Sequence, residues 1–329
     1  MIWIVSQNTS EVSTEIVMDW VQHLGGTCRR LNGIDLLGSE AFAIEVSDEV
    51  DVHFRDGNSQ SKPPVAWFRR WMQTSLLNED MADPKPYSMG DVQKLVKSEF
   101  AGLTDAFFQA TQNNRWYEPA PAIQPKPTKL AQLQRARECG LTIPATIITN
   151  NKKELLAFSR RLNGRSLIIK PIKEIQLVCT DDAQFFSTYT KVLPNDLCDV
   201  PEVFFPSLFQ EAVSKVYELR VFYFNEECYS MAIFSQDDEQ TKDDFRRYNL
   251  TKPNRYIPHQ LSDELVAKMR HFMRSFDMQT GSFDFLVDEA DNHFFLEVNP
   301  GGQFGMVSFP CNYYLEREVA QHLVNMSLT

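Results

Sequence analysis

Near its C-terminal end the chain carries SFDFLVD and HFFLEVN, two alternating runs separated by Glu289 to Asn292, a pattern that predicts an antiparallel hairpin. Residues facing one another across such a hairpin have position numbers of constant sum. A four-residue loop therefore sets Asp288 opposite His293 and Asp284 opposite Glu297, and the strand period of two puts Asn299 on the face of Glu297. Two ionised carboxylates about 5 Å apart repel by roughly 3 kcal/mol at an effective dielectric of about 20, so something cationic is expected between them. Carboxylates plus an amide oxygen are hard ligands, suited to Mg2+ that keeps several waters and also binds substrate phosphates. The competing reading is an exposed hairpin face whose acids are solvated. Phe283, Phe285, Phe294, Leu296 and Val298 are expected to bury the opposite face. A loop one residue longer would put Asp284 opposite Leu296 and dismantle the site.

Phosphate needs cations. Lys129 stands just inside a capped helix, Lys170 closes the apolar strand LIIK before Pro171, and Arg220 in ELRV and Arg246 in DDFRRY are further candidates. Each has an ordinary reading too: a solvated terminus for a lysine at a strand end, a salt-bridge partner for the arginines. The run FFPSLFQEAV leads into Gln210 and Glu211. Their backbone groups would read an adenine edge if the chain passes between two lobes there, and would otherwise be the polar end of a buried strand. The phosphate cradles G-x-x-x-x-G-K-[ST] and G-x-G-x-x-G are absent, and so are H-E-x-x-H and G-x-S-x-G. P-loop, Rossmann, zinc-hydrolase and α/β-hydrolase readings therefore lack support.

The elements that must position these residues fall into two halves. EPAPAIQPKP, Glu118 to Pro127, holds four prolines that forbid a helix interior or a central strand, which predicts a domain boundary. Before it, IWIV reads as a strand. Val12, Ile16, Val17, Trp20, Val21 and Leu24 follow at helical spacing and are stopped by Gly25-Gly26. Further strands are expected at AFAIEV and VAWFRRW, and Val92, Leu95, Val96, Leu103 and Phe107 line one face of a longer helix, giving an α/β half. After the boundary, Thr128 caps a helix that Gly140 ends, TIPATIIT is a strand, and Asn151 with Glu154 forms a capping box for a second helix. YELRVFYF and CYSMAIFS pair across Asn225-Glu226-Glu227, so the second half is α+β.

The composition narrows the class. The chain has 329 residues, enough for about two domains, and 24 Phe with 5 Trp argue against disorder. A net charge of −11 leaves no broad basic surface to track a nucleic acid backbone. No stretch reaches the roughly 18 apolar residues needed to span a bilayer, and the opening MIWIVSQNTSEV is expected to be a first strand rather than a secretory signal. Six cysteines without a C-x-x-C pair suit reduced thiols in a cytoplasmic protein.

In this order, Lys129, LIIKP, QEAV, ELR, DDFRR, DF and FLEVNPGGQF resemble the motifs of the ATP-grasp ligases. The closer resemblance, through WFRRW, TKLAQLQRARECGLTIPATIITN, DDFRRYN and FLEVNPGGQF, is to the graspetide synthetases of the microviridin and grasp-with-spasm type, which mature peptides. It covers nearly the whole chain. The resemblance implies a mixed α/β and α+β class: an ATP-grasp fold with an N-terminal pre-ATP-grasp α/β domain over 1–118, a central lobe over 119–192 and a C-terminal lobe over 193–329 that carries the metal site. It implies that Lys129 and Lys170 contact ATP phosphates, that Gln210, Glu211, Ala212 and Val213 form the adenine hinge, and that Glu218 holds the ribose. Arg220 and Arg246 would steady the transferring phosphoryl group, and Asp284, Glu297 and Asn299 would hold two Mg2+, with Glu297 shared. Arg69 and Arg70, beside Trp67 and Trp71, would hold an acidic peptide, their other reading being a structural pair on a strand edge.

The activity so implied is ATP-dependent joining of Asp or Glu side chains of a ribosomally made precursor peptide to Thr, Ser or Lys side chains, by a cytoplasmic homodimer with neither nucleic acid nor membrane as partner. The rival readings are an ATP-grasp ligase acting on free amino acids or a protein terminus, and a nucleotide-responsive binding protein without chemistry. The chain departs from many ATP-grasp enzymes in one place: KPIKEIQLVCTDD has no glycine, so no phosphate-covering flap is assigned.

Overall fold

The computed structural model describes the chain except residues 8–10, 38–41, 49, 55–64, 72–85, 174–176, 180–184, 195 and 248. Much of KPIKEIQLVCTDD, and the tyrosine of DDFRRYN, thus lie outside the described residues. The chain divides into two compact units, Met1–Lys126 with Gln303–Ser308 and Tyr314–Thr329, and Pro127–Gly302 with Phe309–Tyr313. The division falls at the end of the proline-rich stretch, not at its start near 118. Most of the residues after 302 pack with the first unit, although sequence order assigned them to the C-terminal lobe.

The first unit begins with β1 (Ile2–Ser6), α1 (Val12–His23) and β2 (Cys28–Asn32). It continues with β3 (Phe42–Val46), β4 (Val50–Phe54), β5 (Val65–Phe68), α2 (Met89–Ala110) and β6 (Trp116–Tyr117). Its main sheet is parallel, in the order β2-β1-β5-β6, and β3 pairs with β4 as a hairpin. Every residue of β1 is buried, as its unbroken apolar run requires of a strand covered on both faces. Trp3, Val5, Leu31, Ala66, Phe107 and Phe108 form the core. Gly25, at φ +81°, ends α1 in the left-handed conformation that a residue with a Cβ resists.

The second unit starts with α3 (Lys129–Glu138), β7 (Thr146–Asn151), α4 (Lys152–Arg161) and β8 (Leu167–Lys170). The short strands β9 (Leu177–Cys179), β10 (Phe185–Ser187) and β11 (Lys191–Val192) lead to β12 (Val203–Glu211). Then come β13 (Tyr217–Phe224), β14 (Glu227–Phe234), β15 (Arg255–His259), α5 (Asp263–Ser275), β16 (Thr280–Val287) and β17 (His293–Pro300). The chain ends with α6 (Gly305–Cys311) and α7 (Leu315–Leu328). Two antiparallel sheets result, β11-β8-β12-β7 and β15-β14-β13-β16-β17. The larger packs Val221, Phe283, Phe285 and Phe295 against Leu133 of α3 and Met269, Phe272 and Met273 of α5. That leaves its other face for the site.

The caps follow the sequence, with two adjustments. Thr128 accepts from the Ala131 N–H at 3.4 Å and so fixes Lys129 as the first residue of α3. Asn151 accepts from Lys153 and Glu154 N–H, but its own N–H donates to Thr149 Oγ1 at 3.1 Å, so only half of the expected capping box forms. The turn between β13 and β14 has two residues, not three. Asn225 and Glu226 take φ of 47° and 71° and leave Phe224 opposite Glu227, the doubly left-handed turn whose twist matches its strands. Pro206, which cannot donate to a ladder, lies where the pairing of β12 with β7 breaks register between Val203 and Ser207.

Candidate active site

The pairing of β16 with β17 brings Asp284 opposite Glu297, by a route the sequence concealed. At the loop His293 faces Val287, not Asp288, so the connection is one residue longer than four. Asp288 instead caps the turn, accepting from the Ala290 and Asn292 N–H groups. With that register alone Asp284 would meet Leu296. A bulge between Asp284 and Phe285 corrects it: Phe285 pairs with Phe295, Leu296 is the extra residue, and Asp284 then faces Glu297 and Ser282 faces Asn299. The Phe295 N–H donates to the Thr142 carbonyl at 2.8 Å, outside the hairpin, which holds the bulge in place. The longer loop also changes which side chains are buried. Phe295 joins Phe283, Phe285 and Val298 in the core, whereas Phe294 and Leu296, expected there, line the cleft.

The acids do meet cations. Arg220, directly opposite Asp284 on β13, donates to both its oxygens at 2.7 and 2.8 Å, and Asn299 Nδ2 donates to Asp284 Oδ2 at 3.1 Å. Lys129 Nζ lies 3.0 Å from Glu297 Oε2. Burial pushes the Asp284 carboxyl up against the pull of Arg220. Burial acts on Glu297 too, but Lys129, Lys170 and Arg246 outweigh it and hold that carboxyl below its usual range. Burial, reinforced by Lys129, lowers the Lys170 ammonium to about 8. Burial opposes the charge on Arg246, yet a two-pronged bond to Asp244 at 2.7 and 2.8 Å, with Asp284 and Glu297 nearby, raises its pKa further. Two carboxylates among four cations suit a substrate that brings several negative charges.

These groups line a cleft of about 960 Å³ within the second unit. Lys129, Lys170, Glu211, Ala212, Val213, Glu218, Arg246, Asp284, Glu297 and Asn299 all border it. Arg220 does not: it stands behind Asp284. Gln210 is also outside the lining, fully buried with Nε2 donating to Thr146 Oγ1 at 2.8 Å. Glu211 is tied to Arg165 and accepts from the Ala145 N–H, and the Ala212 N–H is spent on the Ser166 carbonyl at 2.8 Å. Glu218 pairs with Lys215 and accepts from Ser235 Oγ at 2.8 Å, while burial raises its carboxyl against both.

Among the described residues no group of three or more His, Cys, Asp or Glu could hold a metal. A divalent ion at Asp284 and Glu297 would therefore take its remaining ligands from the Asn299 carbonyl, water and phosphate oxygens. That donor set fits Mg2+, which prefers oxygen and keeps several waters.

Arg69 and Arg70 lie in the first unit, at the end of β5. The Arg69 side chain is 2% exposed, shares Glu11 with Arg70, and stacks on Trp67 and Phe304 at 5.3 and 5.0 Å. Burial lowers it to about 10, offset in part by Glu11. A guanidinium so enclosed braces the unit and is not free to hold a peptide, so the structural reading of this arginine prevails. Arg70 is 35% exposed and also engaged by Glu11.

Four site residues escaped the sequence reading. Asp244, two residues before Arg246, and Lys215, three before Glu218, are visible as local charge pairs. Phe294 and Leu296 enter the cleft because the loop is one residue longer than the four its sequence suggests.

No protein-family model matches the sequence, and no curated protein does. Solved structures do. The macrocyclase MdnC from Microcystis aeruginosa MRC, bound with precursor peptide MdnA, is 20% identical at TM-score 0.79, over 99% of this chain and 99% of that one. A RiPP-associated ATP-grasp ligase of Chryseobacterium gregarium, in complex with ADP and a leader and core peptide, is 20% identical at TM-score 0.80, over 99% and 96%. The ATP-grasp ligase PsnB, complexed with a minimal precursor, Mg and ADP, is 16% identical at TM-score 0.76, over 99% and 97%. The chain thus has the fold of these ATP-grasp ligases over essentially its full length. At such identities the likeness gives the fold, and the chemistry must come from the residues.

Proposed function

We propose that this chain is an ATP-dependent, ADP-forming ligase that activates Asp or Glu side chains of a ribosomally made precursor peptide and joins them to Thr, Ser or Lys side chains, closing macrocyclic esters or amides. The observation that carries this reading is Asp284 facing Glu297, with Asn299 on the same face and Lys129, Lys170, Arg220 and Arg246 around them, in a fold shared with ligases solved with precursor peptides. Condensation of a carboxylate with a hydroxyl or amine is opposed in water, and ATP supplies the drive. A carboxylate oxygen of the peptide bonds to the γ-phosphorus, the bond to the bridging oxygen breaks, and ADP leaves. The hydroxyl or amine then attacks the acyl carbon, phosphate departs, and the peptide has lost one water per link.

Asp284, Glu297 and Asn299 would hold Mg2+, which neutralises phosphate charge when bound. Lys129 and Lys170, at the ends of α3 and β8, orient the phosphates, and Arg246, stiffened by Asp244, steadies the phosphoryl group in flight. Glu211, Ala212 and Val213 border the purine end with Phe294 and Leu296, and Glu218 meets the ribose. Arg220 acts on Asp284. The proposal includes a cytoplasmic homodimer, and sedimentation of the purified chain tests the dimer. No helix among the described residues is long and apolar enough to cross a membrane.

The test is incubation with ATP, Mg2+ and a short peptide rich in Thr and in Glu or Asp, encoded beside this chain. Loss of one water per link with matching ADP is expected. ADP release with free amino acids and no peptide would favour the free amino-acid ligase instead.

A further inference from the structure

Gly302 closes the turn that follows Asn299, and its backbone lies flush on Ser282. A Cβ at Gly302 would stand 2.2 Å from Ser282 Oγ, 2.5 Å from Ser282 Cβ and 2.8 Å from the Ser282 nitrogen, whereas such contacts essentially never fall under 3.0 Å. The demand is steric alone, because the left-handed conformation in this turn belongs to Gly301, at φ +62°. Ser282 has no room to retreat. It is fully buried within β16, with Phe222 of β13 opposite it on one side and Asn299 of β17 on the other. Its Oγ is buried without a hydrogen-bond partner, so packing and not a polar bond of the hydroxyl keeps it there.

Ser282 shares the site face with Asp284 and sits directly across from Asn299. The Asn299 amide reaches Asp284 at 3.1 Å. Between Asn299 and Gly302 the chain has little freedom: Pro300 fixes its own φ, Gly301 reverses direction, and Gly302 seats on Ser282. We infer that the seating of Gly302 on Ser282 is what aims the Asn299 side chain at Asp284, which makes Gly302 a positioning residue and Ser282 its counterpart. The inference rests on the metal reading of Asp284, Glu297 and Asn299 given above. It predicts that bulk added at either partner shifts Asn299 and weakens the metal, while the phosphate and purine contacts from other strands stay intact.

The experiment measures ADP affinity by calorimetry, with and without Mg2+, so that the gain due to the metal is separated from nucleotide binding itself. Gly302→Ala and, independently, Ser282→Thr should cut that gain by about 10- to 100-fold, the range for losing support behind a metal ligand, and leave Mg2+-free ADP affinity unchanged. Ser282→Gly in the Gly302→Ala background should restore most of it, because two of the three overlapping atoms are gone. A full metal gain in Gly302→Ala or Ser282→Thr, equal loss with and without Mg2+, or no recovery in the double variant would overturn the inference. A wild-type protein showing no gain from Mg2+ would instead overturn the metal assignment, and the inference with it.

Discussion

Lys129 Nζ and Glu297 Oε2 lie 3.0 Å apart, and this contact ties the capped first turn of α3 to the bulged strand β17. The carboxylate expected to grip a metal is thus already neutralised by a cation expected to grip phosphate. Bound nucleotide would draw Lys129 towards phosphate and free Glu297 for Mg2+.

Glu297→Gln should lower ADP-forming turnover by about a hundredfold or more, the cost of roughly 3 kcal/mol of lost charge stabilisation. Glu297→Ala should do the same and also strand Lys129 in a half-buried site, lowering stability by about 1–2 kcal/mol in urea. Repulsion from Asp284 alone would predict the opposite sign for stability, because removing one of two bare acids relieves strain. Urea melts of Glu297→Ala against wild type separate the two.

Lys215 and Glu218 form a buried ion pair in the lining of the cleft, where Glu218 is proposed to meet the ribose. Lys215→Met should leave Glu218 without its main counter-charge, so that burial drives its carboxyl higher still. The expected outcome is ADP affinity reduced by about tenfold, with Mg2+ dependence preserved. An unchanged affinity would remove Lys215 from the site.

The ammonium of Lys170 has a pKa of about 8, below the usual lysine value because of burial and of Lys129. A depressed lysine is charged below pH 8 and neutral above it, and phosphate binds the charged form better. ADP affinity should therefore be flat below pH 8 and fall by up to about tenfold per pH unit above it, with proton uptake on binding. Lys170→Arg should remove that dependence. The sign for folding is opposite: the buried charge costs stability below pH 8, and the cost is relieved between about 8 and 10.5 as the native state gives up its proton before the unfolded chain does.

Arg69→Ala should destabilise the first unit by about 3 kcal/mol, since it leaves buried Glu11 with Arg70 and the Thr14 hydroxyl but one cation fewer, and empties the space between Trp67 and Phe304. Denaturant melts followed by tryptophan fluorescence test this. An unchanged midpoint would return Arg69 to consideration as a peptide contact.

What was legible in the sequence follows from which signals are local. Thr128, Asn151 and Gly140 act on their own turns: α3 begins after Thr128 and stops before Gly140, and α4 begins after Asn151. The facing of Asp284 and Glu297 was reached from a loop length that is wrong by one: the true connection with plain alternation would set Asp284 opposite Leu296, and the bulge restores the pair. The loop was in fact one residue longer, and the site survives because Phe295 bonds to Thr142, a residue far away in sequence that no hairpin pattern names. For the same reason Phe294 and Leu296 looked like core and Phe295 did not. Arg69 was open to two readings, a peptide contact or a structural pair, and the choice rests on Glu11 and Phe304, which enclose it from far away in sequence. The two-residue turn at Asn225-Glu226 was obscured because glutamate rarely takes positive φ.

The most direct test is a crystal grown with ADP and Mn2+, whose anomalous signal marks the divalent ion independently of any water. The account predicts a peak in direct contact with Asp284, Glu297 and the Asn299 carbonyl oxygen, bridging to ADP phosphate, with Lys129 turned from Glu297 to the nucleotide. A peak elsewhere, with both oxygens of Asp284 still held by Arg220 Nη1 and Glu297 still paired with Lys129, would contradict it.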